Sequence, residues 1–325
     1  MSNETQGLTL LTGAGGYLGS HLLDSLLADG VSVRVLVHSN WKVAELEERG
    51  IEVVLGDVTD PDTLVGVAEG VETVFHLVGG GTAGGVDPFK INTAGTRHLL
   101  AACRDAGLQA FVYVSSSTVY GRQPEPVDET SQVAPRFDYA RSKLDAERVL
   151  LAAAESGFPA KIARLAAVYG PDSPMFSIDA LQRGRMRIIG EGENYISVIH
   201  IADAVQALRA LAARGRPGAV YCLADNEPVP LHTFHNALAQ LLGAPPVGKS
   251  PLRRVQLIIG LVKFMARILG HSPPLTEAVV EMSTLDVRMQ NDRMLDELGV
   301  DLRYPTYRQG LAQVAAYVRA AEEEE

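Results

Sequence analysis

The chain of 325 residues is long enough for two average domains, or for one large α/β domain with additions. Apolar residues make up 46% and charged residues 21%, which supplies a core and excludes disorder or a fibrous repeat. A formal net charge of −10 repels phosphate polymers and excludes non-specific nucleic-acid binding, while two distant cysteines, Cys103 and Cys222, exclude a disulfide framework and a thiolate zinc site and fit a reducing cytoplasm.

The polar start, Met1 to Gly7, predicts no secretory signal. From there short β-branched runs alternate with helical patterns. Leu8–Thr12, Val33–Val37, Glu52–Leu55, Thr73–Leu77, Phe111–Ser115 and Lys161–Leu165 read as strands, mostly continuous apolar runs suited to burial on both faces. Between them, Tyr17–Ala28, Val43–Arg49, Ile91–Ala106 and Tyr139–Glu155 carry apolar residues at helical spacing. This order predicts an α/β fold, a Rossmann-type doubly wound parallel sheet. The rhythm breaks after Gly170-Pro171. A helix over Ala202–Ala213 and a strand over Ala219–Leu223 follow, then helices over Leu231–Leu242 and Leu252–Leu269. The expected division is a dinucleotide-binding domain of residues 1–170 with 197–224 returning to it. Residues 171–196 and 225–325 would form a smaller, mostly helical substrate domain over the sheet's carboxyl edge. The acidic end, Glu322–Glu325, reads as a frayed terminus.

The first strand runs into Thr12-Gly13-Ala14-Gly15-Gly16-Tyr17-Leu18-Gly19 at the opening of a helix. Gly13 permits a tight turn, Gly16 a close approach of backbone to a pyrophosphate, and Gly19 close packing of helix on strand. The helix N-terminus presents unpaired N–H groups to the phosphates. The second strand ends in His38, Ser39, Asn40, Trp41 and Lys42, with no carboxylate at its tip. Hydrogen-bond donors there suit a 2′-phosphate, which favours NADP(H) and leaves NAD(H) open. Asp57 and Val58, after the third strand, are placed to border the adenine.

Two further segments sit at strand ends: Ser115-Ser116-Ser117-Thr118-Val119-Tyr120-Gly121, and Tyr139-Ala140-Arg141-Ser142-Lys143 in a helix with Asp138 as its expected cap. The i, i+4 spacing puts Tyr139 and Lys143 on one helix face. Together with the glycine turn, these motifs resemble the extended short-chain dehydrogenase/reductase family. Softer matches are Gly56-Asp57-Val58, Phe75-His76-Leu77, Asn92 with Gly95-Thr96, the Arg164 to Pro171 run and His200-Ile201-Ala202-Asp203. The resemblance implies a catalytic triad of Ser116, Tyr139 and Lys143. It implies cofactor contacts from Gly13, Gly16, Tyr17, Leu18, Gly19, His38, Asp57, Val58, Leu77, Asn92, Lys143 and Arg164, and substrate contacts from Ser117, Tyr195 and His200. A homodimer through Ile91–Ala106 and Tyr139–Glu155 is also implied.

In such a triad the phenol of Tyr139 gives and takes a proton at the reacting oxygen, with a pKa lowered by the Lys143 ammonium and the oxidised nicotinamide, while Ser116 orients that oxygen. Ile196 stands where nucleotide-sugar members place a diphosphate-binding Arg, and Ser117-Thr118 replaces the acidic pair of the dehydratases. The apolar stripe of Leu252–Leu269 resembles the dihydroflavonol-reductase-like and hydroxysteroid-dehydrogenase-like members, whose substrates are bulky and weakly polar. The expectation is therefore an NAD(P)-dependent oxidoreductase acting on a ketone or secondary alcohol. The alternatives are a nucleotide-sugar 4-epimerase and, third, a non-enzymatic dinucleotide sensor. Arg183, Arg185 and Arg187 are candidates for an anionic substrate group. No metal is expected, since His232 and His235 lack a third ligand. Integral membrane association is not expected, and the net charge weighs against tight binding to anionic lipid.

Overall fold

The computed structural model describes residues 7–39, 42–80, 86–269 and 277–324. Its first half alternates strands and helices: β1 (Leu8–Thr12), α1 (Tyr17–Ala28), β2 (Val33–Val37), α2 (Val43–Glu48), β3 (Glu52–Leu55), β4 (Val71–His76), α3 (Gly95–Cys103), β5 (Ala110–Ser116), α4 (Asp138–Glu155) and β6 (Ala160–Leu165). After β7 (Ala167–Tyr169) come α5 (Ile178–Gln182), β8 (Arg187–Ile189), β9 (Tyr195–Ile196), β10 (Val198–His200), α6 (Ile201–Arg214) and β11 (Val220–Leu223). The remainder comprises β12 (Val229–Pro230), α7 (Leu231–Leu241), β13 (Gly248–Ser250), α8 (Leu252–Leu269), α9 (Glu277–Ser283), α10 (Asp292–Leu298) and α11 (Tyr307–Glu324).

Seven parallel strands form the central sheet in the order β3-β2-β1-β4-β5-β6-β11. The order reverses between β1 and β4, and a doubly wound sheet opens its ligand crevice at the carboxyl ends flanking that point. Each face has its own core. Leu22, Leu23 and Leu26 of α1 meet Ala204, Leu208 and Leu211 of α6 on one side. Leu99 and Leu100 of α3 meet Ala146 and Leu150 of α4 on the other. Covered on both faces, β1 and β5 are mainly apolar, and Leu10, Leu11, Phe111 and Val112 are fully buried.

The smaller region has a separate core, in which Phe234 and Leu238 of α7 pack with Leu311 and Val314 of α11 and with Tyr169 and Val198. Residues 285–300, placed with this region on sequence, instead join the core of the sheet through Leu285, Val287, Met289, Met294 and Leu298. Helix α10 packs against α6 and β11. The acidic terminus also differs from expectation: α11 continues to Glu324, and Gln182 donates to Glu322 at 2.5 Å. Asp138 does not cap α4; it lies in the first turn and pairs with Arg141 at 2.8 Å, while Phe137 is the capping residue and offers no side-chain bond.

The turn from β1 to α1 depends on absent side chains. Gly13 has φ of +79°, and a Cβ on Gly19 would lie 2.1 Å from the Gly13 carbonyl oxygen. Overpacking of this kind costs about 1–3 kcal/mol. Gly19→Ala is expected to lower the unfolding free energy by that amount, read from urea denaturation midpoints.

Candidate active site

Gly16 is the capping residue of α1 and provides no side-chain hydrogen bond, so the first-turn N–H groups lack a protein cap. The loop after β4 lies beside this turn: Leu77 N donates to Thr12 O at 3.2 Å, and Gly13 would touch the Leu77–Val78 backbone at 3.0 Å if it carried a Cβ. A narrow, side-chain-free cradle next to a helix N-terminus fits a dinucleotide pyrophosphate.

The same loop is clamped from α3's side. Asn92, in a π-helical turn over Phe89–Ala94, accepts from Gly80 N and donates to Gly80 O, both at 3.1 Å, and donates to Ser142 Oγ at 2.8 Å. Both amide protons of Asn92 are thereby used within the protein, so its side chain positions the loop rather than meeting a cofactor. His76 is buried and lies between Thr12 Oγ1 at 2.8 Å and Thr96 Oγ1 at 3.0 Å, with its pKa pushed down to about 3, first by burial and then by Lys143. It stays neutral and ties β1, β4 and α3 together.

Lys143, fully within the protein, donates from Nζ to Val114 O at 3.0 Å and lies 4.9 Å above the Tyr113 ring and 6.0 Å from the Tyr139 ring centroid. Burial pushes its pKa down to about 8, against the opposing pull of Glu147. A Cβ on Gly79 would come within 2.8 Å of Nζ, so the ammonium faces the clamped loop directly. Tyr139 is half-buried. Its phenol is raised above the usual range by burial, with a hydrogen bond to Ser116 pulling the other way. In the chain itself burial thus outweighs the lowering expected from Lys143, which spends a donor on Val114 O. Ser116 Oγ also accepts from Thr118 N at 3.2 Å and Thr118 Oγ1 at 3.0 Å.

Ser116, Ser117, Tyr139 and Tyr195 share a cavity of about 310 Å³, whose other lining includes Leu165, Ile196, Met282, Leu285 and Val287. Arg288 lies over the Tyr195 ring at 4.8 Å, and Val287 N donates to Tyr195 O at 3.0 Å. The last wall was missed by sequence reading, although the alternation of Leu285, Val287 and Met289 carried a strand-like signal.

Two assigned contacts lie elsewhere. Arg164 is buried against Glu147, with Nη2 to Oε2 at 2.8 Å, and donates to Tyr120 OH at 3.1 Å. It is the countercharge of a helix α4 carboxylate that Ser115 Oγ also bonds, and not a cofactor ligand. His200 is likewise structural. Its Nδ1 accepts from Ala202 N at 3.2 Å, capping α6, its Nε2 faces Gln313 Oε1 at 3.2 Å, and the Tyr304 ring lies tilted against it with centroids 4.0 Å apart. Burial pushes it down to about 4. Glu147 was not singled out on sequence, though it continues the spacing of Tyr139 and Lys143 by one more turn.

The remaining assigned residues border the crevice in various ways. Tyr17 donates to Pro171 O at 2.8 Å, and Leu18 packs on the sheet core. His38 and Ser39 are exposed beyond β2, while Asn40 lies outside the described residues. Asp57 Oδ1 accepts from Thr59 N at 2.8 Å, and His98 Nδ1 contacts Val58 O at 2.8 Å. Arg183 pairs with Asp179 at 2.7 Å and Arg187 donates to Ser250 Oγ at 3.0 Å, and neither lines the cavity shared by Ser116 and Tyr139. Among the described residues no group of His, Cys, Asp or Glu is arranged to hold a metal ion.

Residues 9–224 match the model of the NAD dependent epimerase/dehydratase family. The chain belongs to this family. It is 33% identical over 316 residues to 4-hydroxy-2-methyl-3-oxo-4-farnesyl-3,4-dihydroquinoline-1-oxide ketoreductase of Stigmatella aurantiaca, covering 93% of this chain and 94% of the relative. It is 30% identical over 292 residues to 2-alkyl-3-oxoalkanoate reductase of Stenotrophomonas maltophilia, covering 84% and 88% respectively. Among solved structures, the dTDP-glucose 4,6-dehydratase DesIV of Streptomyces venezuelae superposes with a TM-score of 0.79 at 23% identity over 98% of both chains, which establishes the shared fold.

Two outcomes follow from the buried charges. Glu147→Ala leaves Arg164 buried without its partner and is expected to cost about 3–5 kcal/mol by chemical denaturation. Lys143 has a pKa of about 8 in the fold against 10.5 as the ordinary value. Between those limits the unfolded chain holds a proton that the folded chain releases, so this group adds stability as pH rises. The stability of the native protein relative to Lys143→Met should therefore climb from pH 8 to 10.5, apart from a constant offset.

Proposed function

We propose that the protein is an NAD(P)-dependent ketoreductase, reducing a ketone on a bulky, weakly polar small molecule. The observation that carries this reading is the cavity. Ser116 and Tyr139 share it with apolar walls that include Ile196, which in sequence takes the place of the diphosphate-binding Arg of nucleotide-sugar members. The relatives named for a farnesylated ketone and a 2-alkyl-3-oxoalkanoate support the same substrate class.

In this reading the turn Gly13 to Gly19 would hold the pyrophosphate and Lys143 the nicotinamide ribose hydroxyls. His38 and Ser39 would meet an adenosine 2′-phosphate, favouring NADPH over NADH, and Asp57 and Val58 would border the adenine. The reduced dinucleotide supplies the hydride. Ser116 Oγ holds the ketone oxygen, and Tyr139 OH delivers a proton to that oxygen as the carbonyl becomes an alcohol. The raised pKa of Tyr139 suits this direction, because burial keeps the proton on the phenol until the developing alkoxide takes it. Apolar walls exclude competing water. A cytoplasmic setting accords with two buried, unpaired cysteines. A homodimer through α3 and α4 accords with the groove of about 700 Å³ that Leu100, Ala101, Val149 and Ala153 help to line.

Tyr139→Phe is expected to reduce kcat by about 10²–10⁴-fold, with dinucleotide affinity, titrated by fluorescence, largely unchanged. Turnover that persists would remove the phenol from the mechanism. The native protein, assayed with NADPH and NADH, should turn over hydrophobic ketones and exchange its cofactor freely. Activity confined to nucleotide sugars, with a cofactor that survives dialysis, would establish the 4-epimerase instead.

A further inference from the structure

Helix α8 is apolar on two opposite sides. Val255 and Ile259 pack with Val280 of α9 and with Ile189, which fixes the helix to the body. Leu257, Leu261 and Met265 recur at i, i+4 and i+8 on the other side and are 76%, 63% and 46% exposed. Ile258 extends the patch, so four of the nine large apolar side chains left exposed among the described residues fall on this one helix. Single exposed leucines are ordinary, but a contiguous set marks an interaction surface.

The charge on this element opposes that of the protein. Its eighteen residues include Arg253, Arg254, Lys263 and Arg267 and no Asp or Glu, within a chain of net charge −10. Arg253 and Arg254 are exposed at the start of the apolar row. Nearby acids are matched: Glu191 pairs with Lys249 at 3.2 Å, and Glu281 with Arg136 at 2.9 Å. Charges beyond a Debye length of about 10 Å are largely screened, so the local sign outweighs the overall one at a surface.

We infer that the exposed side of α8 forms a docking face for an anionic phospholipid bilayer, with the exposed leucines in the headgroup–acyl boundary and Arg253 and Arg254 on the phosphates. A second copy of the chain fits less well, because two-fold pairing through α8 would set the same cations against each other. The docking is peripheral: no described helix is long and apolar enough to cross a membrane. The inference does not depend on the ketoreductase reading.

The test is co-sedimentation of the full chain with vesicles of phosphatidylcholine alone, or mixed equally with phosphatidylglycerol. Binding to the anionic vesicles should be at least about tenfold stronger and should weaken as salt shortens the screening length. The exposed pair Leu257→Asp with Leu261→Asp should abolish binding to both. Arg253→Glu with Arg254→Glu should abolish the anionic preference, and both double variants should keep the native melting temperature. Wild-type protein that stays in the supernatant, or pelleting indifferent to these changes and to salt, would overturn the inference. So would a concentration-dependent oligomer that Leu257→Asp dissociates, which would identify a second copy as the occupant. Tyr139→Phe should bind vesicles normally. Vesicle binding without ketone turnover would sink the proposed reaction alone.

Discussion

An ammonium group held inside the protein governs the carboxyl edge of the sheet. Lys143 cannot be solvated where it lies, so the protein supplies what water would have supplied. Its hydrogen bond to Val114 O anchors it to β5, and the Tyr113 ring lies beneath it. Glu147, one helical turn further along α4, draws its pKa upward against burial. That carboxylate in turn needs Arg164 from β6. One cation thus commits a helix, two strands and a glycine at position 79.

The consequence for chemistry is a division of roles between groups of different polarity. Tyr139 sits at the boundary between the buried charges and an apolar cavity. Burial raises its pKa while Ser116 opposes the rise, which favours the protonated hydroxyl. Neighbouring polar groups, including His76 and Asn92, are spent on partners within the protein, while Ser116, Ser117 and Tyr139 line the cavity.

Much of this was legible in the sequence because the signals were local. The bounds of β1, α1, β2 and β3 follow from apolar runs punctuated by glycine, and the observed elements coincide with the expected ones. The glycine turn and the Tyr139–Lys143 spacing are also short-range patterns. What misled was a residue type whose partner lies far along the chain. Arg164 and His200 carry groups suited to ligands, yet each is satisfied by a residue from another element, Glu147 in one case and Gln313 in the other. Asn92 resembles a ligand contact until both of its amide protons are traced to Gly80 and Ser142. The segment 285–300 lacked long periodicity, so its return to the sheet could be seen only once the strands had been assembled.

The cavity wall formed by Met282, Leu285 and Val287 is laced to the segment carrying Tyr195 and Ser197 by Val287 N to Tyr195 O at 3.0 Å and Met289 N to Ser197 Oγ at 2.7 Å. On the wall's side these attachments use backbone groups, so they do not involve the side chains of Leu285 and Val287 that line the cavity. Ser116 and Tyr139 belong to other stretches of polypeptide, at the end of β5 and the start of α4. Inward-facing positions such as Leu285 and Val287 can therefore change the shape of the cavity, one residue at a time, without moving that pair.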